Sequence, residues 1–440
     1  MRQVSLTTEG PQRFGWRLGC GLALRRFRWL LVVLGPLLAV PVAAQTVVSH
    51  SPGFEIVESV PQDTVYGDPS TRRTASTWLA MINGAQKSID IAAFYISDKP
   101  GGPLSPILDA LRKKAGDGVH IRILVDQSFL KDNGDAVAKL RVVPHIDVRE
   151  FAVRALTGGV LHAKYMVVDG TSVFVGSQNW DWRALDQIHE IGARIISDRL
   201  ARTFDAVFDF DWKLAAEGNL PKAAIEASEP PDFAPASDTD PVRIDAPENA
   251  ALTVFPAFSP PGLMPRWVSW EQPELVRFIE QTHHVLRIQV MTMSAIRQYG
   301  PKGWWPDLDA AIRDAAARGV DVRIIVADWA LREPMQDYLK SLAALPNITI
   351  KFTRLPPSPE GFIPYARVEH AKYAVFDDRS AYIGTGNWEW GYFNNTADAS
   401  VFVSGSGPAE TLARIFDHDW NGPYAARLTL DSHETAPRNH

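Results

Sequence analysis

The chain has 440 residues, enough for two domains of ordinary size with substantial cores. Its 46% hydrophobic and 22% charged content is globular and excludes an intrinsically disordered chain. A formal charge of −6 argues against a broad basic face for duplex nucleic acid, and a single cysteine, Cys20, excludes an intrachain disulfide framework.

Residues 1–44 differ from the rest. Arg2, Arg13, Arg17, Arg25, Arg26 and Arg28 precede the apolar run Trp29–Val40, and Pro41-Val42-Ala43-Ala44 follows it. A basic segment, a short apolar stretch and small residues at a cut site predict a secretory signal peptide cleaved after Ala44. The stretch is short for a membrane span and is weakened by Gly35 and Pro36, so an uncleaved N-terminal anchor is the alternative. Cleavage would leave 39 basic against 50 acidic residues, a formal charge of −11, and would remove Cys20. The expected location is periplasmic or extracellular, with no thiol chemistry and with stability carried by core packing.

From residue 45 onward the order of elements runs twice. Ser88–Tyr95 reads as a strand, Leu104–Ala115 as a helix and Gly118–Val125 as a further strand. Val285–Met291, Leu308–Ala317 and Gly319–Val326 repeat that rhythm. Helix, Gly, then a β-branched run is the signature of an α/β layer. Between the two sets, residues 217–250 contain Pro230-Pro231, Pro235 and Pro241 and read as an extended linker. The predicted domains are 45–216 and 251–430, with a tail at 431–440.

Near the end of each domain stands the most informative feature. Residues 162–182 read HAKYMVVDGTSVFVGSQNWDW, and residues 370–390 read HAKYAVFDDRSAYIGTGNWEW. His162, Lys164, Asp169, Gly176, Asn179 and Trp180 recur as His370, Lys372, Asp377, Gly384, Asn387 and Trp388, always 208 positions later. A repeat kept only for its fold would explain recurring Val, Ile and Gly. It would not explain recurring His, Lys and Asn. Each motif reads as strand, turn and strand, with Asp169-Gly170 and Asp377-Asp378 at the turn. On a strand, residues i and i+2 share a face, which points His162 with Lys164 and His370 with Lys372.

These residue types fit phosphodiester cleavage. A neutral imidazole can attack phosphorus and form a covalent phospho-enzyme. A protonated one can protonate the leaving oxygen and then deprotonate water. Lys164, Lys372, Asn179 and Asn387 would surround the phosphoryl oxygens with donors. Two lysines supply the positive charge, so no metal and no cofactor is called for, and single scattered histidines, with His283-His284 as a surface or structural pair, do not form a metal-ligand pattern. Glu190 and Asp398 each lie 28 positions after a motif histidine and are the candidate orienting carboxylates. Asp169 and Asp377 are expected to fix turns or to bond a neighbouring half. Ser177 and Thr385 accompany the asparagines in a supporting position. Trp180, Trp388 and Tyr95 are the candidate aromatic surfaces for substrate.

His-x-Lys-x4-Asp followed by Gly-Ser-x-Asn resembles the signature of the phospholipase D superfamily, here His162, Lys164, Asp169, Gly176, Ser177, Asn179 and again His370, Lys372, Asp377, Gly384, Thr385, Asn387. Glu58-Ser59-Val60-Pro61, Ile89–Tyr95, Trp182-Arg183-Ala184-Leu185, Ile363–Val368, Ile415-Phe416 and Asp419-Trp420 are similar to the branch containing the mammalian phospholipases D3 and D4. The similarity spans nearly the whole chain after residue 44. It implies two pseudo-symmetric α/β sandwich domains, mixed central sheets flanked by helices, sharing one active site. It implies His162 as nucleophile and His370 as acid and base. It also implies a 5′→3′ exonuclease on single-stranded DNA or RNA, with phospholipid hydrolysis or transphosphatidylation as the alternative and no obligate protein partner. Unlike the mammalian members, this chain lacks their cysteines. Specificity is expected in the loops Lys99–Pro103 and Pro356–Phe362.

Overall fold

Short β-branched runs, apolar at every other residue or throughout, build two sheets of one design. The computed structural model describes residues 53–217, 230–245, 251–298 and 300–437, so the proposed signal peptide lies outside the described residues. In the first half the strands are β1 (Phe54–Ser59), β2 (Ser88–Ala93), β3 (His120–Asp126), β4 (Ile146–Phe151), β5 (Tyr165–Val168), β6 (Ser172–Gly176) and β7 (Glu190–Ile196). Their order across the sheet is β1, β7, β6, β5, β2, β3, β4, with Arg72–Arg73 outside β1. The second half contributes β8 (Leu252–Ser259), β9 (Val285–Val290), β10 (Asp321–Ala327), β11 (Ile348–Thr353), β12 (Lys372–Phe376), β13 (Ser380–Gly384) and β14 (Asp398–Ser404). Their order is β8, β14, β13, β12, β9, β10, β11, the same arrangement. In both sheets three strands run parallel (β2, β3, β4 and β9, β10, β11), and the pairings among the other named strands are antiparallel. Parallel neighbours need crossover connections, supplied by helices Ser105–Gly116 and Leu130–Arg141 and by Asp307–Ala317 and Met335–Ala343.

Strand alternation divides the apolar residues between three cores. On β5, Met166 and Val168 pack with the helices of the first half, while Tyr165 and Val167 enter a core shared by both halves. On β12, Ala374 and Phe376 pack with the helices of the second half, and Tyr373 and Val375 enter the shared core. Two long helices line that common layer, Asp198–Glu217 through Leu200, Phe204 and Phe208 and Ser406–Asn421 through Leu412 and Phe416. The linker is more than a tether, because Ala236 is fully buried in the shared core and Val242–Ile244 adds a strand outside β8. Among the described residues, no helix is long and apolar enough to cross a membrane.

Candidate active site

The motif histidines sit just ahead of their strands, not on them. His162 precedes β5 and His370 precedes β12, each in an extended segment that crosses to the other half. The first crossing bridges Leu161 with Ala397, and the second bridges Glu369 with His189. His162 N and Ala163 N both donate to Ala397 O at 2.8 Å. His370 N donates to His189 O at 2.9 Å, and His189 N donates to Val368 O at 3.1 Å. Gly159 permits the first approach: a Cβ there would lie 2.1 Å from the Asn395 carbonyl oxygen. Main-chain bonds between the halves therefore set both imidazoles.

The orienting carboxylates are exchanged between the halves. Glu190 opens β7 and Asp398 opens β14. Asp398 Oδ1 lies 3.0 Å from His162 Nδ1, and Glu190 Oε2 lies 2.8 Å from His370 Nδ1. The 28-residue spacing thus marks two buried carboxylates, each serving the histidine of the other half. With Nδ1 committed, Nε2 of each ring is the nitrogen left for chemistry. The Thr385 hydroxyl donates to Asp398 Oδ1 at 2.6 Å and accepts from Ala399 N at 3.1 Å. The Ser177 hydroxyl bonds both the carbonyl and the N–H of Ile191, next to Glu190. The Ser177 and Thr385 main chains lie against His370 and His162 respectively.

Lys164 and Lys372 are buried, and each Nζ donates to the carbonyl of its own histidine at 2.5 Å. Burial dominates the electrostatics here. It pushes both imidazoles well below their ordinary range, helped by the two ammonium groups. It lowers Lys164 well below the usual amine range and Lys372 to about 7. It raises Glu190 well above the usual carboxyl range and Asp398 to about 7. Lysine and carboxylate attract, yet both move toward neutrality, because desolvation outweighs attraction. Asn179 and Asn387 are buried, each with a carbonyl oxygen that lacks a hydrogen-bond partner.

Asp169 and Asp377 do not face the histidines. Both occupy positive-φ turn positions, and both cap backbone of their own half. Asp169 accepts from the N–H groups of Gln86, Lys87 and Ser88 at 2.9, 2.7 and 3.0 Å. Asp377 accepts from His283, His284 and Val285 at 2.9, 2.7 and 3.0 Å. The turn-fixing expectation describes them; bonding to the opposite half does not.

The tryptophan expectation needs correction. Trp180 is 1% exposed and stacks on Trp78 at 4.6 Å, and Trp388 is 1% exposed in the second outer core. Neither offers a face to substrate, because both bury their rings under the helices. Tyr95 is half-buried, and its hydroxyl donates to Asp181 Oδ2 at 2.9 Å. Its ring joins Phe94 and Phe129, and Phe94 meets His162 edge-on at 4.9 Å. Tyr392 meets His162 from another side at 5.0 Å and accepts from Asn387 Nδ2 at 3.1 Å. A cavity of about 510 Å³ opens on the loop leading to His370, with Trp329, Arg354, Phe362, Tyr365 and Arg367 among its walls. Sequence reasoning also missed His189, Glu58, Glu369 and Asp419, four buried ionisable groups behind His370. His189 and Glu369 adjoin predicted site residues in sequence, which was the available signal.

A family model described as "Cardiolipin synthase, PLD-like domain" matches residues 78–212 and again residues 275–420, more than half of the chain and once in each half. The chain belongs to the phospholipase D superfamily. Its duplicated frame and crossed dyads are thus the two halves of one phospholipase D-like hydrolase site for phosphodiesters. A Xenopus laevis relative named 5'-3' exonuclease PLD3 is 33% identical over 420 residues, covering 86% of this chain and 82% of the relative. A human relative named 5'-3' exonuclease PLD4 is 30% identical over 402 residues, covering 85% and 78%. Among solved structures, phosphatidylserine synthase from Haemophilus influenzae Rd KW20 matches with a TM-score of 0.54 and 15% identity over 80% of this chain and 85% of that one. That likeness is one of fold.

Proposed function

We propose that the protein is a 5′→3′ exonuclease on single-stranded nucleic acid that works through a phospho-histidine. The crossed histidine–carboxylate dyads, two imidazoles held through Nδ1 in one lysine-lined site, carry the reading. The names of the PLD3 and PLD4 relatives support the polarity and the polymer. His162 Nε2 attacks the phosphorus of the terminal diester and the P–O5′ bond breaks. His370 gives its proton to the departing O5′. Neutral His370 then takes a proton from water, whose oxygen displaces His162 and frees a 3′-nucleotide. Lys164, Lys372 and the two asparagines bind the non-bridging oxygens. A phosphate anion bound beside Lys164 and Lys372 favours the charged form of both lysines.

The exposed rings of Phe362 and Tyr365 and the neighbouring Trp329 and Arg354 offer stacking and charge for bases and backbone. The arginine-rich, apolar, small-residue order of residues 1–44 supports export, which N-terminal sequencing of the mature protein tests. For the activity, the purified protein is incubated with a single-stranded oligonucleotide bearing a 5′-OH, and products are identified by mass spectrometry. Stepwise release of 3′-mononucleotides from the 5′ end is the expected result. An intact oligonucleotide, with a glycerophospholipid cleaved by the same sample, would overturn the nuclease reading and move the site to lipid chemistry.

A further inference from the structure

The 208-residue repeat carries residues 161 and 189 onto residues 369 and 397, and the two crossings differ there. Behind His162 stand Leu161, Ala397 and Phe258, all in the shared apolar core. Behind His370 stand Glu369, His189 and Glu58, all fully buried. Strand register makes Glu58 the counterpart of Phe258, since Ser59 pairs with Glu190 and Ser259 pairs with Asp398. The first crossing meets one buried carboxylate, Asp126, which accepts from Leu161 N at 2.6 Å, while the second meets a buried histidine clasped between carboxylates.

His189 is the hub of that charge. Its Nδ1 lies 2.6 Å from Glu369 Oε2 and 3.6 Å from Asp419 Oδ2, and its Nε2 lies 3.1 Å from Glu58 Oε1. A ring with a carboxylate on both nitrogens must carry both protons to satisfy both bonds. The Tyr66 ring covers it at 4.6 Å. Glu58 also accepts from Arg73, Thr71 and Asp68 N, and Glu369 Oε1 accepts from Ala371 N. Asp419 accepts from Gln289 and meets His418 at 3.3 Å. Ligand atoms of His189, Glu369 and Asp419 lie within 4.8 Å of one another, a spacing that could hold a cation. The 2.6 Å contact is the length of a proton-held bond, shorter than two ligands each about 2 Å from one tetrahedral ion would leave.

We propose that His189, clasped by Glu58 and Glu369, is a positioning residue for the Glu190–His370 dyad and makes the two catalytic histidines inequivalent. The proposal rests on the phosphodiesterase reading of the site. His189 is bonded in chain to Glu190, and its carbonyl accepts from His370 N, while its partner Glu369 is bonded in chain to His370. Holding this one ring therefore holds both members of the dyad. Three carboxylates against one imidazolium and the half-exposed Arg73 also leave a net negative field behind His370. That cluster favours a proton on His370 over one on His162, whose crossing meets the single buried carboxylate of Asp126 at Leu161 N. The leaving-group proton is thereby assigned before substrate arrives.

The test compares wild type with Glu58→Gln and His189→Gln. Side-chain NMR of the histidines in wild type should show His189 doubly protonated beyond the ordinary imidazole range, and His370 titrating above His162. Glu58→Gln keeps the shape and removes one charge. It should lower the His370 midpoint by about half a unit to one unit and leave His162 in place. On a single-stranded oligonucleotide, whose departing O5′ needs a proton, His189→Gln should lose at least tenfold in kcat with KM within threefold, and His189→Lys should recover part of the loss. A neutral His189 ring, or equal movement of both histidines in Glu58→Gln, overturns the proposal. So does a folded His189→Gln with wild-type kcat and pH profile. The NMR arms need no turnover, so an inactive wild type would count against the phosphodiesterase reading and not against this one.

Discussion

The two halves share the frame that builds a dyad and differ most in what lies behind it. Strand order, the His-Lys motif, the Asp cap on three backbone N–H groups and the carboxylate at the start of a strand are the same in both. Behind the imidazoles, Leu161, Ala397 and Phe258 are replaced by Glu369, His189 and Glu58. Duplication supplies two equivalent imidazoles, yet the reaction needs one neutral and one protonated. Glu190 in place of Asp398 and the groups behind each crossing can make that distinction.

The largest effect should come from removing either imidazole. His162→Ala and His370→Ala should each lower kcat by about 10⁴-fold or more while the melting temperature stays within a few degrees, since neither ring anchors a core. A difference between the two sharpens the comparison. His370→Ala should still form the covalent intermediate with a substrate whose leaving group needs no proton, such as a p-nitrophenyl diester, and His162→Ala should not. Equal bursts in both variants would break the division of roles.

Next in size are the exchanged carboxylates. Glu190→Gln and Asp398→Asn should each cost about 10²–10⁴-fold in kcat. Because each serves the opposite half, Glu190→Gln should add little to His370→Ala, and Asp398→Asn little to His162→Ala, in double-mutant cycles. Additive losses within these pairs would contradict the crossed geometry.

The crossing is where sequence reading ended. The histidines, lysines and asparagines were legible because they recur, and a recurrence of polar groups at fixed spacing is not a packing pattern. Glu190 and Asp398 were legible for the same reason, but spacing cannot say whether a carboxylate serves its own half. That depends on the main-chain bonds from His162 to Ala397 and from His370 to His189. Trp180 and Trp388 misled because a recurring tryptophan looks the same whether it stacks on Trp78 or on a base. The His189 cluster was missed for the opposite reason, although His189 and Glu369 adjoin site residues in sequence. It has no counterpart in the other half, and repeats reveal only what is shared.

pH dependence should follow the depressed imidazoles. Catalysis from the free enzyme needs His370 protonated. A lowered histidine keeps its proton only below its shifted value, so kcat/KM on a diester should fall as pH rises, with the descending limb below 6.5. A descending limb above pH 7.5 would contradict the burial argument. The shift at His189 runs the other way and acts on stability, which is likewise lost with rising pH but in a higher window. Its pKa is raised well above the usual range by the surrounding carboxylates, so its contribution is complete below about 6.5 and is lost only as pH climbs through the raised value. His189→Gln should therefore lose more stability at pH 6 than at high pH, as denaturant titration would show.

The smallest effects should be the most alike. Asp169→Ala and Asp377→Ala each strand three N–H groups at a turn and should cost about 1–3 kcal/mol of stability, with kcat within about threefold of wild type. Urea titration beside turnover would check this, and a large loss of kcat at unchanged stability would return these residues to the chemistry.

The most direct test of one site built from two unequal halves is to find the phosphoryl group. Wild-type enzyme is mixed with a single-stranded oligonucleotide, quenched in base within milliseconds, digested and mapped by mass spectrometry. Phosphate on His162, absent from His370 and absent in His162→Ala, is the predicted result. Phosphate on His370, or on both rings equally, would contradict it.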